Sequence, residues 1–118
     1  MSNDLREALI AEGVDYNTTL ERFMGKEDLY HKFLIKFLDD DNFNQLEGFL
    51  NDKKVEEAFK CAHTIKGLCG NLGFENLLEV DIPLVEILRA GSLESVDELF
   101  EDLKKRYDSL CDIIKKYS

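Results

Sequence analysis

One short stretch of the chain gathers a histidine, His63, two lysines, Lys60 and Lys66, and two glycines, Gly67 and Gly70. A neutral imidazole has a nucleophilic ring nitrogen. Lysine ammoniums stabilise an anion formed beside it, a phosphoryl group above all. Glycine leaves the backbone bare, so a second molecule can approach it closely. These residue types suit a phosphoryl acceptor whose catalytic apparatus comes from a partner.

The spacing gives these residues a common face. Residues three, four and seven apart lie together on a helix. Phe59, Lys60, His63, Lys66, Gly67 and Gly70 therefore form one stripe of a helix predicted over Asp52 to Leu72. Its buried seam is expected at Val55, Ala58, Ala62, Ile65, Cys69 and Leu72, with Gly73 closing it. Gly67 and Gly70 each cost such a helix about 1 kcal/mol relative to alanine, which calls for a reason. The reason is either clearance for a partner or admission of a neighbouring helix. The 17 residues from Ala58 to Phe74 hold no Asp or Glu, although 25 of the chain's 118 residues are acidic. The stripe is thus locally cationic on an anionic protein.

The remaining segments read as the scaffold. Helical periodicity marks Asp4 to Ala11, ended by Gly13. A second helix is expected from Thr18, an N-cap with Glu21 three residues on, to Gly25. A third covers Lys26 to Asp39 and a fourth Phe43 to Leu50, with Asn51-Asp52 as the N-cap of the fifth. A sixth covers Phe74 to Ala90, with a kink or break between Glu79 and Pro83, since proline lacks the amide proton and clashes with the preceding turn. The last is expected from Leu93 to Tyr117, with a seam at Val96, Phe100, Leu103, Tyr107, Leu110, Ile114 and Tyr117. This predicts an all-α, up-and-down four-helix bundle with short extra N-terminal helices, one domain over residues 1–118.

Composition narrows the function classes. The net charge of −10, with no basic cluster longer than Lys104-Lys105-Arg106, argues against nucleic acid or an anionic membrane as partner. No apolar run is long enough to span a bilayer, and Met1 to Asp4 lack the features of a signal peptide, so a cytoplasmic location is expected. Cys61, Cys69 and Cys111 have no metal-ligand spacing and read as free buried thiols. His31 stands three residues after Asp28, half of a di-metal pattern that Lys60 denies to His63, so His31 is expected on the surface and no metal is expected. The acidic runs at 39–41 and 97–102 read as solvated faces. No P-loop, dinucleotide fingerprint or hydrolase motif occurs.

The run Ala62-His63-Thr64-Ile65-Lys66-Gly67-Leu68-Cys69-Gly70-Asn71-Leu72-Gly73-Phe74 resembles the signature of histidine-containing phosphotransfer (HPt) domains: His-x-x-Lys-Gly, small residues, then Leu-Gly. Gly13-Val14-Asp15 with Leu20 to Gly25 resembles the family's lead-in, and Leu29 to Leu38 its next helix, so the likeness spans most of positions 13 to 90. The resemblance implies a phosphorelay intermediate without ATP-dependent kinase activity. His63 would accept a phosphoryl group from the phospho-aspartate of a receiver domain and pass it to another receiver. Lys66 would stabilise the group, and Gly67 and Gly70 would give clearance. Lys60 joins the partner-binding set from helix geometry alone. The implied partners are response-regulator receivers, which bring Mg²⁺, and a hybrid sensor histidine kinase. The chain itself is expected to be a cofactor-free monomer. It is also expected to stand alone, its own Met1 and last helix speaking against a piece of a larger kinase. Leu68-Cys69 departs from the Ser and Ala frequent there. Val85 stands near the offset where the family places a polar side chain to hold the imidazole, with Glu86 beside it. The alternative is a helical adaptor that binds receivers without transferring phosphate.

Overall fold

The closure at Gly73 organises the central helix pair. The computed structural model describes residues 3–117. Among them are seven helices: α1 Asn3–Ala11, α2 Tyr16–Arg22, α3 Glu27–Leu38, α4 Asn42–Asn51, α5 Val55–Leu72, α6 Glu75–Arg89 and α7 Val96–Tyr117. No strand occurs among the described residues. The protein is an all-α bundle. α4 packs along α5, α5 along α6 and α6 along α7, while α3 touches both α5 and α7 and α1 covers α7. α3 and α4 together take the place of one arm, interrupted at Asp39-Asp40-Asp41. There Asp40 Oδ1 accepts a hydrogen bond from the Asn42 amide at 2.9 Å.

The C-terminal end of α5 is the best-anchored point. The last carbonyls of a helix lack intrahelical partners. Here the Leu72 carbonyl accepts from Tyr30 Oη at 2.8 Å and the Gly70 carbonyl from Arg22 Nη1 at 3.1 Å. Gly73 has φ 77, and its carbonyl accepts from the Asp15 amide at 2.8 Å. A Cβ at Gly73 would collide with Thr19 Oγ1 and the Asp15 carbonyl. The α2 and α3 segments are thereby fastened to α5 by main-chain acceptors.

This anchoring explains the first correction. α2 starts at Tyr16 with Asp15 as N-cap, so Thr18 lies inside the helix and forms no capping box. Asp15 is tied to Gly73 and Tyr16 is buried, which sets the helix start earlier than local sequence does. α2 ends at Arg22, short of Gly25. Met24 with φ 58 makes the turn, its amide donating to the Glu21 carbonyl and the Gly25 amide to that of Leu20.

Asn51-Asp52 ends α4 instead of capping α5. Lys53 takes φ 57, and the Lys54 amide donates to the Phe49 carbonyl at 2.8 Å. This is a Schellman closure with lysine where glycine is usual. α6 runs unbroken through Pro83. The proline frees the Glu79 carbonyl, but both residues lie on the exposed side, where water can satisfy it. α7 begins at Val96, after Ser95 takes φ 62.

The expected seams are buried, with Val55, Phe100, Tyr107 and Tyr117 at their edges. Phe43 stacks on Tyr107 with centroids 3.7 Å apart, and Phe37 meets Phe74 edge-on at 4.9 Å. All three cysteines are buried free thiols. His31, expected on the surface, is buried, with Nε2 3.0 Å from Tyr16 Oη. Burial holds its pKa below the ordinary value. A half-polar ring satisfied by a neighbouring tyrosine belongs in a core as readily as on a surface.

Candidate functional site

α5 carries the stripe as its open face. His63 is exposed, as are Lys60 and Gly67, while Lys66 and Gly70 are half-buried. The His63 ring meets the Phe59 ring one turn back at a tilt of 61° and a centroid distance of 5.7 Å. Among the described residues no hydrogen bond reaches the imidazole. Val85 is fully buried, so α6 offers no polar side chain there, and Glu86 is turned to Arg89 at 3.1 Å.

Arg89 completes the surroundings. Its guanidinium lies 5.0 Å from the centre of the Phe59 ring. Phe59 thus contacts both Arg89 and His63, and a third cation joins the two lysines. Neither Lys60 nor Lys66 is in an ion pair among the described residues. The sequence reading missed Arg89. Counting outward from the Gly73-Phe74 link in an antiparallel pair places residue 88 opposite 59, with Arg89 beside it, which was the available signal.

The two glycines lie open. A Cβ on Gly67 or Gly70 would meet nothing within 4 Å among the described residues. Admission of a neighbouring helix is therefore not their reason. Gly67→Ala should raise stability by about 1 kcal/mol, the full helix-propensity difference, in a urea melt. No gain would mean that the site is more crowded than the structure has it.

Beside the stripe, Leu68 and Asn71 form one wall of a groove of about 700 Å³. Phe23, Phe33 and Phe37 supply its apolar lining, and Arg22 and Lys36 stand among its walls. Phe33 and Met24 remain notably exposed for apolar side chains, at 40% and 74%.

The sequence model of the Hpt domain family matches residues 32–113, more than half of the chain. The chain belongs to the Hpt domain family. Hpt domains serve histidine phosphotransfer in two-component signalling, as phosphotransfer modules and not as kinases, and they interact with receiver domains and kinases. The match takes in all of α4, α5 and α6, and hence the whole stripe. It begins after the lead-in at 13–25, which stands outside it, and extends past position 90 into α7. No curated protein and no solved structure gives a significant match. No helix among the described residues is long and apolar enough to cross a membrane.

Proposed function

We propose that this Hpt domain is a phosphorelay intermediate with His63 as phosphoacceptor. The observation that carries the reading is an exposed imidazole on an uncrowded, cationic helix face within the family-matched span. The ring nitrogen without a proton donates its lone pair to the phosphorus of a receiver's aspartyl phosphate. The P–O bond to the aspartate breaks and the receiver regains its carboxylate. The other ring nitrogen keeps its proton. The receiver brings Mg²⁺ and its acidic pocket, and a second receiver takes the group in the reverse chemistry. The hybrid sensor histidine kinase that loads the first receiver is the third partner. The cytoplasm is where these partners meet.

Lys66 and Lys60 then lie where the phosphoryl oxygens arrive. Lys66→Ala should shorten the lifetime of the phosphohistidine or slow transfer by about tenfold, the worth of one charge-assisted hydrogen bond. Unchanged lifetime and rate would reject an electrostatic role. Gly67 and Gly70 give the receiver's rim its closest approach, and the adjoining groove offers apolar contact. Gly67→Leu should weaken receiver binding by at least about tenfold in calorimetry, with the fold kept. Unchanged affinity would leave the glycine without a role in docking.

The test is an intact-mass assay with phosphorylated receiver domains and Mg²⁺. One acid-labile phosphoryl group on the wild type supports the relay. Binding with no transfer from any receiver would favour the adaptor instead.

A further inference from the structure

The cationic face has an acid beneath it. Asp81 on α6 is 0% exposed, and neither of its carboxyl oxygens has a hydrogen-bond partner among the described residues. A buried polar group left unpaired is costly, and a buried charge more so unless a counter-ion stands near. The helix register supplies one. α5 and α6 run antiparallel from the closure at Gly73, and Phe59 faces Arg89 at their far end. That register sets Lys66 opposite Asp81 and Ile82. The half-buried Lys66 can lay its stem against α6 and move its ammonium inward or outward.

The other neighbours of Asp81 do not compete for this place. α5 also brings the Cys69 thiol, pushed up by burial and next by the Asp81 charge. Arg106, the α7 cation that reaches α6, is engaged elsewhere. It donates to the Asn76 carbonyl at 2.9 Å and pairs with Asp102 at 3.0 Å and Glu79 at 3.4 Å. Lys66 is the cation whose field reaches Asp81. Burial pushes the Asp81 pKa up to about 7, and Lys66 pulls against that rise.

Resting on the phosphoacceptor reading of His63, we propose that Asp81 is a positioning residue that shares Lys66 with the phosphoryl group. While His63 is unmodified, the ammonium is drawn toward the Asp81 carboxylate. When His63 is loaded, the phosphoryl oxygens draw the ammonium outward. The carboxylate then loses its cation and takes a proton from solvent. Loading of His63 is thus linked to proton uptake, and the loaded form gains as pH falls through neutrality.

Two measurements on the full chain test this. The first is a ¹³C carboxyl titration of Asp81 by NMR in the unmodified protein and in Lys66→Met. The Asp81 pKa should rise by about one unit in the variant; no rise would overturn the shared-lysine arrangement. The second follows the equilibrium of phosphoryl transfer from one receiver between pH 6 and 8, for wild type and Asp81→Asn. The wild-type constant should favour phosphorylated His63 more steeply as pH falls, the slopes differing by up to about one proton. Transfer with equal slopes would overturn this proposal and leave the phosphoacceptor reading intact. Absence of phosphoryl uptake by both proteins would overturn the two together.

Discussion

His63→Ala takes up no phosphoryl group from any phosphorylated receiver, while its melting temperature stays within a few degrees of the wild type. The two halves of this expectation have separate grounds. The loss is complete because the chain has only two histidines and the other is out of reach. His31 is buried and bonded to Tyr16 at 3.0 Å. The fold is kept because His63 contributes little to it: its ring contact is with Phe59, and it makes no hydrogen bond among the described residues. Loss of that ring pair costs about 1 kcal/mol at most, and alanine's better helix propensity offsets about half of it. Intact mass at neutral pH, beside a thermal melt, reads both. A variant that still gains one phosphoryl group would move the acceptor elsewhere. A variant that no longer folds would make the residue structural.

Asp81→Asn should stabilise the protein at pH 8 and leave it nearly unchanged at pH 4. The native carboxyl has its pKa raised from 3.8 to about 7, chiefly by burial, so between these values the native state binds a proton that the unfolded chain has lost. Stability in the wild type therefore falls as pH rises from about 4 to about 7, and levels off above. A shift of about three units corresponds to about 4 kcal/mol, the upper value for the gain in the variant above pH 7. Asparagine cannot ionise, so its curve lacks this slope. Its amide inherits the same unpaired site, so the gain is confined to the charge. Urea melts of both proteins at pH 4 and pH 8 give the difference, in which His31 and the surface carboxylates cancel. Identical pH dependence would mean that Asp81 is charged at no such cost, through water or a partner reaching it.

The bundle and the exposed face bearing His63 were legible because both follow from periodicity. The seam of α5 and the face bearing His63 are two sides of one 3.6-residue repeat, and no tertiary contact was needed to separate them. Part of what escaped depended on contacts distant in sequence. Thr18 has the chemistry of an N-cap, but Asp15 is bonded to Gly73 and starts the helix earlier. Asn51-Asp52 reads equally as start or stop, and Lys53 with positive φ makes it a stop without the glycine that would have announced it. Pro83 lies where solvent takes over the lost hydrogen bond, so α6 continues. His31 found Tyr16, fifteen residues away. Asp81 is the sharpest case. The absence of acid from Ala58 to Phe74 was read along one helix, and the carboxylate came from the next.

The bare stretch at Gly67 and Gly70 also bears on how one such domain could serve several receivers. Contact with peptide backbone carries no side-chain identity, so a partner meeting it is judged by curvature alone. Any receiver with the common shape would pass. Discrimination then falls to the margin: Lys60 and Arg89 toward one end, Arg22 and Lys36 toward the other. Charges there can repel a wrong partner as well as attract a right one. On the proposed function, substitutions at that margin change the choice of partner while the backbone centre at Gly67 and Gly70 stays as it is.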